Sequence, residues 1–276
     1  MTTTTHERLS LRIERPETHI AEVILLGPSR GNAMGPDFWR EAPAVFEQLG
    51  AEEDLRAIIV RGTGKTFSTG LDIMGMAPEL MPLVSGGEAS GRKVIELGEQ
   101  MQRAFLEVAK CKQPVIAAID GWCIGAGVEL ACACDFRIAT AKAKFSLREV
   151  KLSMVPDLGG IQRLPYIVGE GHARQMALLG DDYPAEDALR MGLVTKVVSD
   201  AEALREEALA LARKIAQNPP LAVSGVKRAM NARMAESVEK SLALALAKNA
   251  KLIPSRDFGE AIAALVEGRT ARYSGS

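Results

Sequence analysis

Reactive side chains other than carboxylates and amines are scarce in this chain of 276 residues. It contains only three histidines and four cysteines, and the cysteine spacing matches neither a zinc site nor a disulfide framework. Aromatic residues make up 4% of the chain, which is few for stacking nucleic-acid bases. These shortages exclude a disulfide scaffold and leave little material for a metal centre or a histidine-based triad. We expect buried, reduced thiols and no metal site.

Neither sign of charge dominates, because 34 Lys and Arg residues are balanced by 35 Asp and Glu residues. A nucleic-acid binder would show a basic excess, so nucleic acid is not an expected partner. The chain also lacks the apolar run of about 18 residues that a membrane-spanning helix requires. Its N-terminal segment lacks the apolar core of a signal peptide. We therefore expect a cytoplasmic protein without a membrane partner.

Two glycine-containing motifs are similar to nucleotide-binding loops, but each lacks a required glycine. Gly64–Lys65–Thr66 would end a phosphate loop, yet Ile59 stands where that motif needs its first glycine. Gly125–Ala126–Gly127 would begin a dinucleotide fingerprint, yet Leu130 stands where the third glycine belongs. The sequence therefore supports neither ATP nor NAD as a cofactor.

Hydrophobic patterning predicts an α/β chain in which strands and helices alternate before a helical C-terminal part. The apolar run Pro114–Ile119 is typical of a buried parallel strand, whereas the small polar residues of Leu83–Arg92 predict a flexible loop that could cover a site. The predicted C-terminal helices are Ala201–Gln217, Leu221–Arg233, Ser237–Ala250 and Ser255–Glu267. We predict a core of strands and helices over residues 1–200 and a helical region over 201–276.

Two glycine-containing segments follow predicted strands and could place backbone N–H groups near a ligand. Gly121–Glu129 joins the strand at 114–119 to a helix, whose start offers unpaired N–H groups and a positive dipole. Phe67–Asp72 follows another predicted strand at 57–60. Two such loops at neighbouring strand ends can aim two N–H groups at one oxygen, which polarises a thioester carbonyl and stabilises its enolate. The spacing alone leaves open a tight turn whose glycines serve only packing.

These paired segments resemble the crotonase superfamily, the enoyl-CoA hydratase/isomerase family. The similar segments are, in chain order, Arg30–Met34, Phe67–Asp72, Pro114–Gly121, Ala133–Ala139, Gln162–Pro165 and Ala185–Val194. No single segment is specific, but the set is, and it extends through most of the chain. The resemblance implies a spiral of ββα units, the ClpP-like fold, followed by a helical trimerisation region. It also implies assembly as a homotrimer or homohexamer.

The resemblance further implies a substrate and the residues that bind it. The enzyme would act on an acyl-CoA thioester, which brings coenzyme A with it, and would need no separate cofactor. The oxyanion donors would be the backbone N–H groups of Leu71 and Ala126. Ala126 stands where the family usually has glycine, so its backbone must keep ordinary φ and ψ angles. Coenzyme A contacts are implied for Arg30, Asn32, Ala33, Thr69, Gly70 and Asp72.

Three acids decide which reaction the resemblance implies. Glu129 and Glu149 match the two catalytic glutamates of the hydratase branch, which adds water to a 2-enoyl-CoA. Asp157 stands where hydratases usually have glycine, and an acid there resembles the Δ3,5-Δ2,4-dienoyl-CoA isomerase branch. That branch uses a Glu and an Asp across the substrate, with a third acid that is normally Asp, whereas this chain has Glu129. The sequence favours the isomerase and keeps the hydratase as the alternative.

Each acid also has a structural alternative. Glu149 could be a solvated residue or a partner of Arg148, and Glu129 could be a buried, hydrogen-bonded structural acid. Asp157 could be the N-cap of the helix that follows it, a common role for aspartate. A non-catalytic RNA-binding or scaffold member of the superfamily is an alternative of another class. The neutral charge and the few aromatic residues disfavour it.

Overall fold

The computed structural model describes residues 9–27, 31–84 and 87–276 of the chain. Within them the strands are β1 (Leu11–Glu17), β2 (Ile20–Leu25), β3 (Ala57–Gly62), β4 (Thr66–Ser68), β5 (Val115–Ile119), β6 (Trp122–Ile124), β7 (Phe136–Thr140), β8 (Lys144–Ser146), β9 (Tyr183–Pro184) and β10 (Lys196–Val198). The helices are α1 (Pro36–Ala51), α2 (Ala77–Val84), α3 (Gly87–Lys110), α4 (Ala126–Ala133), α5 (Gly160–Leu179), α6 (Ala185–Met191), α7 (Ala201–Ala216), α8 (Pro220–Leu252) and α9 (Arg256–Glu267). A short 3-10 helix, Glu149–Leu152, lies between β8 and α5. In these described ranges, no helix combines the length and the apolar character needed to cross a membrane.

The strands form two sheets that the chain visits in turn. The larger sheet has the order β1-β2-β3-β5-β7-β10 and is parallel except for the antiparallel pair of β1 and β2. The smaller sheet has the order β4-β6-β8-β9, with only β9 antiparallel to its neighbour. Each of β3, β5 and β7 leads into a strand of the smaller sheet and then into a helix. This repeat confirms the predicted spiral of ββα units.

The larger sheet is buried on both faces, because apolar residues occupy successive positions of its central strands. In β3, Ile58 and Val60 belong to the core shared with α1, α3 and α4, whereas Ala57 and Ile59 pack in the cluster that includes Leu204 of α7. A strand covered on both sides needs an unbroken apolar run, which is what the sequence displays. The predicted boundary at residue 200 thus falls just before a helix that covers the sheet, and the division into two parts stays a prediction.

The prediction of a loop over Leu83–Arg92 is wrong for the described residues of that segment. α2 extends to Val84, and α3 begins at Gly87. A Cβ atom on Gly91 would lie 3.3 Å from the carbonyl oxygen of Ala250 in α8. The small residue here therefore serves the close approach of two helices.

The prediction of two separate helices over Leu221–Arg233 and Ser237–Ala250 is also wrong, because both belong to the single helix α8. The residues between them, Met234–Glu236, include neither glycine nor proline, so nothing interrupts the helical hydrogen bonds. α8 packs along α3 so closely that a Cβ atom on Gly98 would lie 2.2 Å from Leu246 Cδ2. The C-terminal half of this continuous helix reaches the loop that precedes α5.

Candidate active site

Two backbone loops meet where β4 and β6 end. These strands are parallel neighbours, so the chain leaves both at the same edge of the smaller sheet. The first loop carries Gly70, whose φ of 84° favours glycine. A Cβ atom there would lie 2.7 Å from the carbonyl oxygen of Ile124 and 3.1 Å from the nitrogen of Ala126. The sheet therefore brings together the two segments that the sequence predicts to share an oxyanion.

The backbone N–H groups of Leu71 and Ala126 are available to a ligand. Around Leu71, the N–H of Met34 donates to the Gly70 carbonyl at 2.7 Å, and the N–H of Asp72 donates to the Met34 carbonyl at 3.0 Å. Ala126 is the first residue of α4, where an N–H has no intrahelical acceptor. Among the residues that the structure describes, neither N–H has a hydrogen-bond acceptor. Two unpaired donors on adjacent loops are what a developing oxyanion requires.

The methyl group of Ala126 is compatible with this arrangement. Ala126 is 4% exposed and begins α4 without a positive φ. The positive φ of 54° falls on Gly125 instead. At Gly127, a Cβ atom would lie 2.8 Å from the carbonyl oxygen of Ser68. The turn therefore requires glycine on both sides of Ala126 and not at Ala126 itself. Ala126 keeps the ordinary backbone angles that its methyl group requires.

The residues predicted to contact coenzyme A lie on two loops that are bonded to each other. The N–H of Thr69 donates to the Gly31 carbonyl at 2.9 Å. The side-chain amide of Asn32 donates to the carbonyls of Thr63 at 2.9 Å and Thr66 at 2.7 Å. Asn32, at a positive φ of 54°, thus fastens its own loop to the turn between β3 and β4.

The other predicted coenzyme A contacts lie close by. Ala33 is buried in the first loop, and Gly70 lies at the contact between the oxyanion loops. Oδ1 of Asp72 accepts the N–H of Gly75 at 2.9 Å, which orders the turn that enters α2. Arg30 lies outside the described residues. The structure brings these loops together, and their contact with coenzyme A stays a prediction.

Glu129 is a buried acid that holds the start of α5. It lies on α4, is 1% exposed, and its Oε2 accepts the N–H groups of Leu158 at 2.9 Å and Gly160 at 2.7 Å. Burial raises its pKa well above the usual range, and the nearby carboxyl groups of Glu149 and Asp157 raise it further. The bond from Gly160 satisfies an N–H group that a helix start leaves unpaired, and the bond from Leu158 holds the loop just before the helix. Glu129 therefore has the structural role that the sequence left open, that of a buried and hydrogen-bonded acid.

Glu149 begins the 3-10 helix, and its carboxyl group has no comparable partners. Its Oε1 lies 3.1 Å from the position that a Cβ atom on Gly125 would occupy, against the second oxyanion loop. Its Oε2 is buried and has no hydrogen-bond partner within the described ranges. Burial raises the pKa of Glu149 to about 7, with a further contribution from Asp157. Arg148 bonds to Asp182 at 2.6 Å, so it is not the partner of Glu149.

Asp157 reaches the same site from the loop before α5. Its Oδ2 accepts the amide of Asn249 at 2.7 Å, and its backbone carbonyl accepts the amide of Gln102 at 2.7 Å. Burial raises the pKa of Asp157 to about 6, and the bond from Asn249 opposes that rise. The N-cap of α5 is Gly159, without a side-chain capping bond. Asp157 is therefore not the helix cap that the sequence allowed.

The arrangement combines two carboxyl groups of raised pKa with two unpaired backbone N–H donors. Carboxyl groups whose pKa values are about 6 and about 7 can give and take protons near neutral pH. In the part of the chain that the structure describes, no group of three or more His, Cys, Asp or Glu side chains could hold a metal ion. The site is suited to moving protons on carbons that are conjugated with a polarised carbonyl group.

Sequence interpretation missed the two amides that hold Asp157, Gln102 on α3 and Asn249 on α8. A signal for Asn249 was present in the helical periodicity. Asn249 follows the buried residues Leu242 and Leu246 at intervals that keep all three on one face of α8. A polar side chain on a buried face requires a hydrogen-bond partner. The sequence could not identify that partner, because it lies 92 residues away.

Comparison with known proteins places the chain in a family. Residues 15–276 match the family described as enoyl-CoA hydratase/isomerase. A mitochondrial Delta(3,5)-Delta(2,4)-dienoyl-CoA isomerase from Dictyostelium discoideum is 36% identical over 265 residues, which covers 94% of this chain and 89% of that protein. A short-chain-enoyl-CoA hydratase from Clostridium acetobutylicum is 35% identical over 254 residues, which covers 92% of this chain and 93% of that protein.

The fold is shared as well. The crystal structure of an enoyl-CoA hydratase/isomerase from Pseudoalteromonas atlantica has a TM-score of 0.84 and 25% identity, covering 96% of this chain and 100% of that one. The sequence match and the shared fold agree with each other. The chain is an enzyme of the enoyl-CoA hydratase/isomerase family, the crotonase superfamily.

Proposed function

We propose that this enzyme is a dienoyl-CoA isomerase, which moves the two double bonds of a 3,5-dienoyl-CoA to positions 2 and 4. The observation that carries the proposal is the hydrogen bonding of Glu129, whose Oε2 is occupied by the N–H groups of Leu158 and Gly160. Glu149 keeps an unpaired buried carboxyl oxygen, and the Asp157 carboxyl group accepts a single side-chain bond, whereas Glu129 accepts two backbone bonds that hold it to the start of α5. Glu149 and Asp157 therefore form the better acid–base pair.

The proposed reaction consists of two proton transfers and leaves the composition of the substrate unchanged. The N–H groups of Leu71 and Ala126 bind the thioester oxygen. The Asp157 carboxylate takes a proton from C2, and the electron pair spreads into a dienolate whose charged oxygen the two N–H groups stabilise. The protonated Glu149 then gives a proton to C6, which leaves double bonds at C2 and C4. Proton exchange with solvent restores both carboxyl groups.

A 2-enoyl-CoA hydratase is the second candidate, because Glu129 and Glu149 adjoin each other closely enough for Glu149 to raise the pKa of Glu129. Hydration needs a water molecule held between two carboxyl groups, one of which takes a proton while the other gives one. Glu129 would have to serve with its Oε1 alone or release the start of α5. Overall identity does not separate the candidates, since the isomerase is 36% and the hydratase 35% identical to this chain.

Two substrates assayed in parallel separate these candidates. We expect a 3,5-dienoyl-CoA to give the absorbance of a 2,4-dienoyl thioester, and we expect crotonyl-CoA to gain water slowly. Rapid hydration of crotonyl-CoA without any 2,4-diene from the other substrate would contradict the proposal and favour the hydratase. No turnover of either substrate, together with RNA binding that weakens as salt rises, would favour the non-catalytic alternative.

We also propose that the enzyme assembles as a homotrimer or homohexamer around its acyl-CoA sites. The N-terminal half of α8 exposes Leu221, Val226 and Met230, and α9 exposes Leu265 and Val266. Apolar helix surfaces of this kind support association between copies. Sedimentation equilibrium tests the proposal, and a monomer at micromolar concentration would contradict it.

A cytoplasmic location is likewise a proposal. All four cysteines, Cys111, Cys123, Cys132 and Cys134, are buried and free, which agrees with a reducing compartment. Cell fractionation with an antibody to the native chain tests it. Recovery of the protein in an organelle fraction would contradict it.

A further inference from the structure

α8 contributes one residue to the site, the buried amide of Asn249. Asn249 is 2% exposed although it carries a polar group. Its Oδ1 accepts the N–H of Val155 at 2.9 Å, and its Nδ2 donates both to the Val155 carbonyl at 2.8 Å and to Oδ2 of Asp157 at 2.7 Å. Every polar atom of this side chain is therefore used on one three-residue segment.

A second buried amide reaches the same segment from α3. Gln102 is 6% exposed, and its Nε2 donates to the backbone carbonyl of Asp157 at 2.7 Å. Helices α3 and α8 thus hold Asp157 from two directions, one through its backbone and the other through its carboxyl group. Only the bond from Asn249 touches the group that would exchange a proton.

We propose that Asn249 is a positioning residue, which orients the Asp157 carboxyl group and keeps it available as a proton acceptor. This inference rests on the proposed isomerase function, in which Asp157 takes the proton from C2. By binding Oδ2, Asn249 fixes the carboxyl plane and leaves Oδ1 for the substrate. An N–H donor also stabilises the ionised form of a carboxyl group, which is the form that accepts a proton.

An amide suits this position because it cannot titrate. The titratable groups that face Asp157 are the carboxyl groups of Glu129 on α4 and Glu149 on the 3-10 helix, and the charge of Asp157 raises the pKa of both. α3 and α8 supply only the neutral amides of Gln102 and Asn249. Asn249 therefore offsets part of the effect of burial on the pKa of Asp157 without adding a charge that would make Asp157 a weak base.

A purely structural role for Asn249 makes a different prediction. The two bonds to Val155 attach α8 to the loop and would affect stability alone. The bond to Asp157 also affects proton affinity, so it must appear in the pH dependence of the reaction. Asn231 provides a matched control, since it lies on the same helix and donates to the Ala109 carbonyl at 3.1 Å, far from the acids.

The test compares Asn249→Ala, Asn249→Asp and Asn231→Ala in the full-length enzyme with a 3,5-dienoyl-CoA. For Asn249→Ala we expect kcat to fall about tenfold with little change in KM, and the acid limb of kcat/KM to move up by about one pH unit. Asn249→Asp keeps the size of the side chain and places a carboxyl group against Asp157, so its acid limb should move further. In Asn231→Ala, the acid limb of kcat/KM should stay at the same pH as in the wild type.

Equal acid limbs in Asn249→Ala and Asn231→Ala, with wild-type turnover intact, would overturn the positioning role. A substrate-free measurement separates this failure from failure of the proposed function. The carboxyl carbon of Asp157, labelled with 13C and assigned by its absence in Asp157→Asn, should titrate at higher pH in Asn249→Ala than in the wild type. An unchanged titration would overturn the inference even if the enzyme proved inactive on dienoyl-CoA.

Discussion

Glu129 on α4 and Glu149 on the 3-10 helix have the same side chain, but their carboxyl groups differ in their hydrogen bonds. One oxygen of Glu129 binds two backbone N–H groups, whereas the buried Oε2 of Glu149 binds no group in the described part of the chain. Burial raises the pKa of both carboxyl groups. The difference teaches that burial alone does not define the role of an acid, because two backbone N–H groups tie Glu129 to the start of α5 whereas none of this kind holds the buried oxygen of Glu149.

The largest effect should come from the third acid, which shares the open character of Glu149. Asp157→Asn removes the proton acceptor while keeping the size of the side chain, so we expect isomerisation to fall about 10³-fold. The measurement is kcat for a 3,5-dienoyl-CoA at neutral pH. Asp182→Asn is the control, because Asp182 is an exposed acid that pairs with Arg148 near the site. A loss below about tenfold would assign the proton transfer to another group.

The pH dependence of the wild-type enzyme tests whether both open acids titrate as proposed. Asp157 must be ionised to take a proton, so activity should fall as the pH drops below its pKa of about 6. Glu149 must be protonated to give one, so activity should fall as the pH rises above its pKa of about 7. kcat/KM should therefore form a narrow bell, losing about tenfold per unit on each side. A profile that stays flat across neutral pH would contradict the pairing.

Glu129→Gln should have a smaller effect on isomerisation, because a glutamine oxygen can still accept the N–H groups of Leu158 and Gly160. We expect a loss within about tenfold, whereas a hydratase that uses Glu129 would lose about 10³-fold. Both substrates should be assayed on the same preparation. A loss as large as that of Asp157→Asn would remove the distinction between the anchored acid and the open ones.

The same variant should also alter stability with a predictable sign. The folded-state pKa of Glu129 lies well above its ordinary value of 4.5, so its stabilising contribution is complete below that value and is lost as pH rises. Glutamine cannot ionise. The melting temperature of Glu129→Gln should therefore rise relative to that of the wild type as pH is raised from about 5 to about 8. A difference that is constant with pH would show that Glu129 does not resist ionisation in the folded protein.

The smallest effect should come from restoring the family's usual glycine on the oxyanion loop. Ala126→Gly keeps the N–H donor, so kcat should stay within about twofold of the wild type. The helix start should lose about 0.5–1 kcal/mol, because glycine is more flexible in the unfolded chain. Chemical denaturation measures the second effect. A large fall in kcat would mean that the methyl group takes part in ordering the donor.

The parts of the molecule that the sequence predicts are those fixed by local pattern. The apolar run now seen as β5 and the glycines around Ala126 each express a requirement of their own backbone, namely burial on two faces and a tight turn. The acids were found by resemblance, and the structure brings Glu129, Glu149 and Asp157 into one site. None of these inferences needed a distant partner.

The errors arose where a distant partner decides the outcome. Gly91 is small because α8 passes beside it, and that neighbour is far along the chain. α8 continues through Met234–Glu236 and packs along α3, which is also far along the chain. The roles of Gln102 and Asn249 depend on contacts with a loop 55 and 92 residues away, respectively. Local patterning carries no information on such pairs.

The proposed oxyanion donors, the backbone N–H groups of Leu71 and Ala126, have a consequence for how this protein tolerates mutation. Both donors are main-chain groups, so exchanging either side chain leaves the hydrogen-bonding atom in place unless proline enters. A carboxyl group, by contrast, disappears with a single codon change. Genetic variation can therefore exchange the acids of the site while the means of stabilising the enolate persists. Substitutions at Glu129, Glu149 and Asp157 can therefore change the proton transfers. The two N–H groups that would bind any enolate oxygen remain after most substitutions.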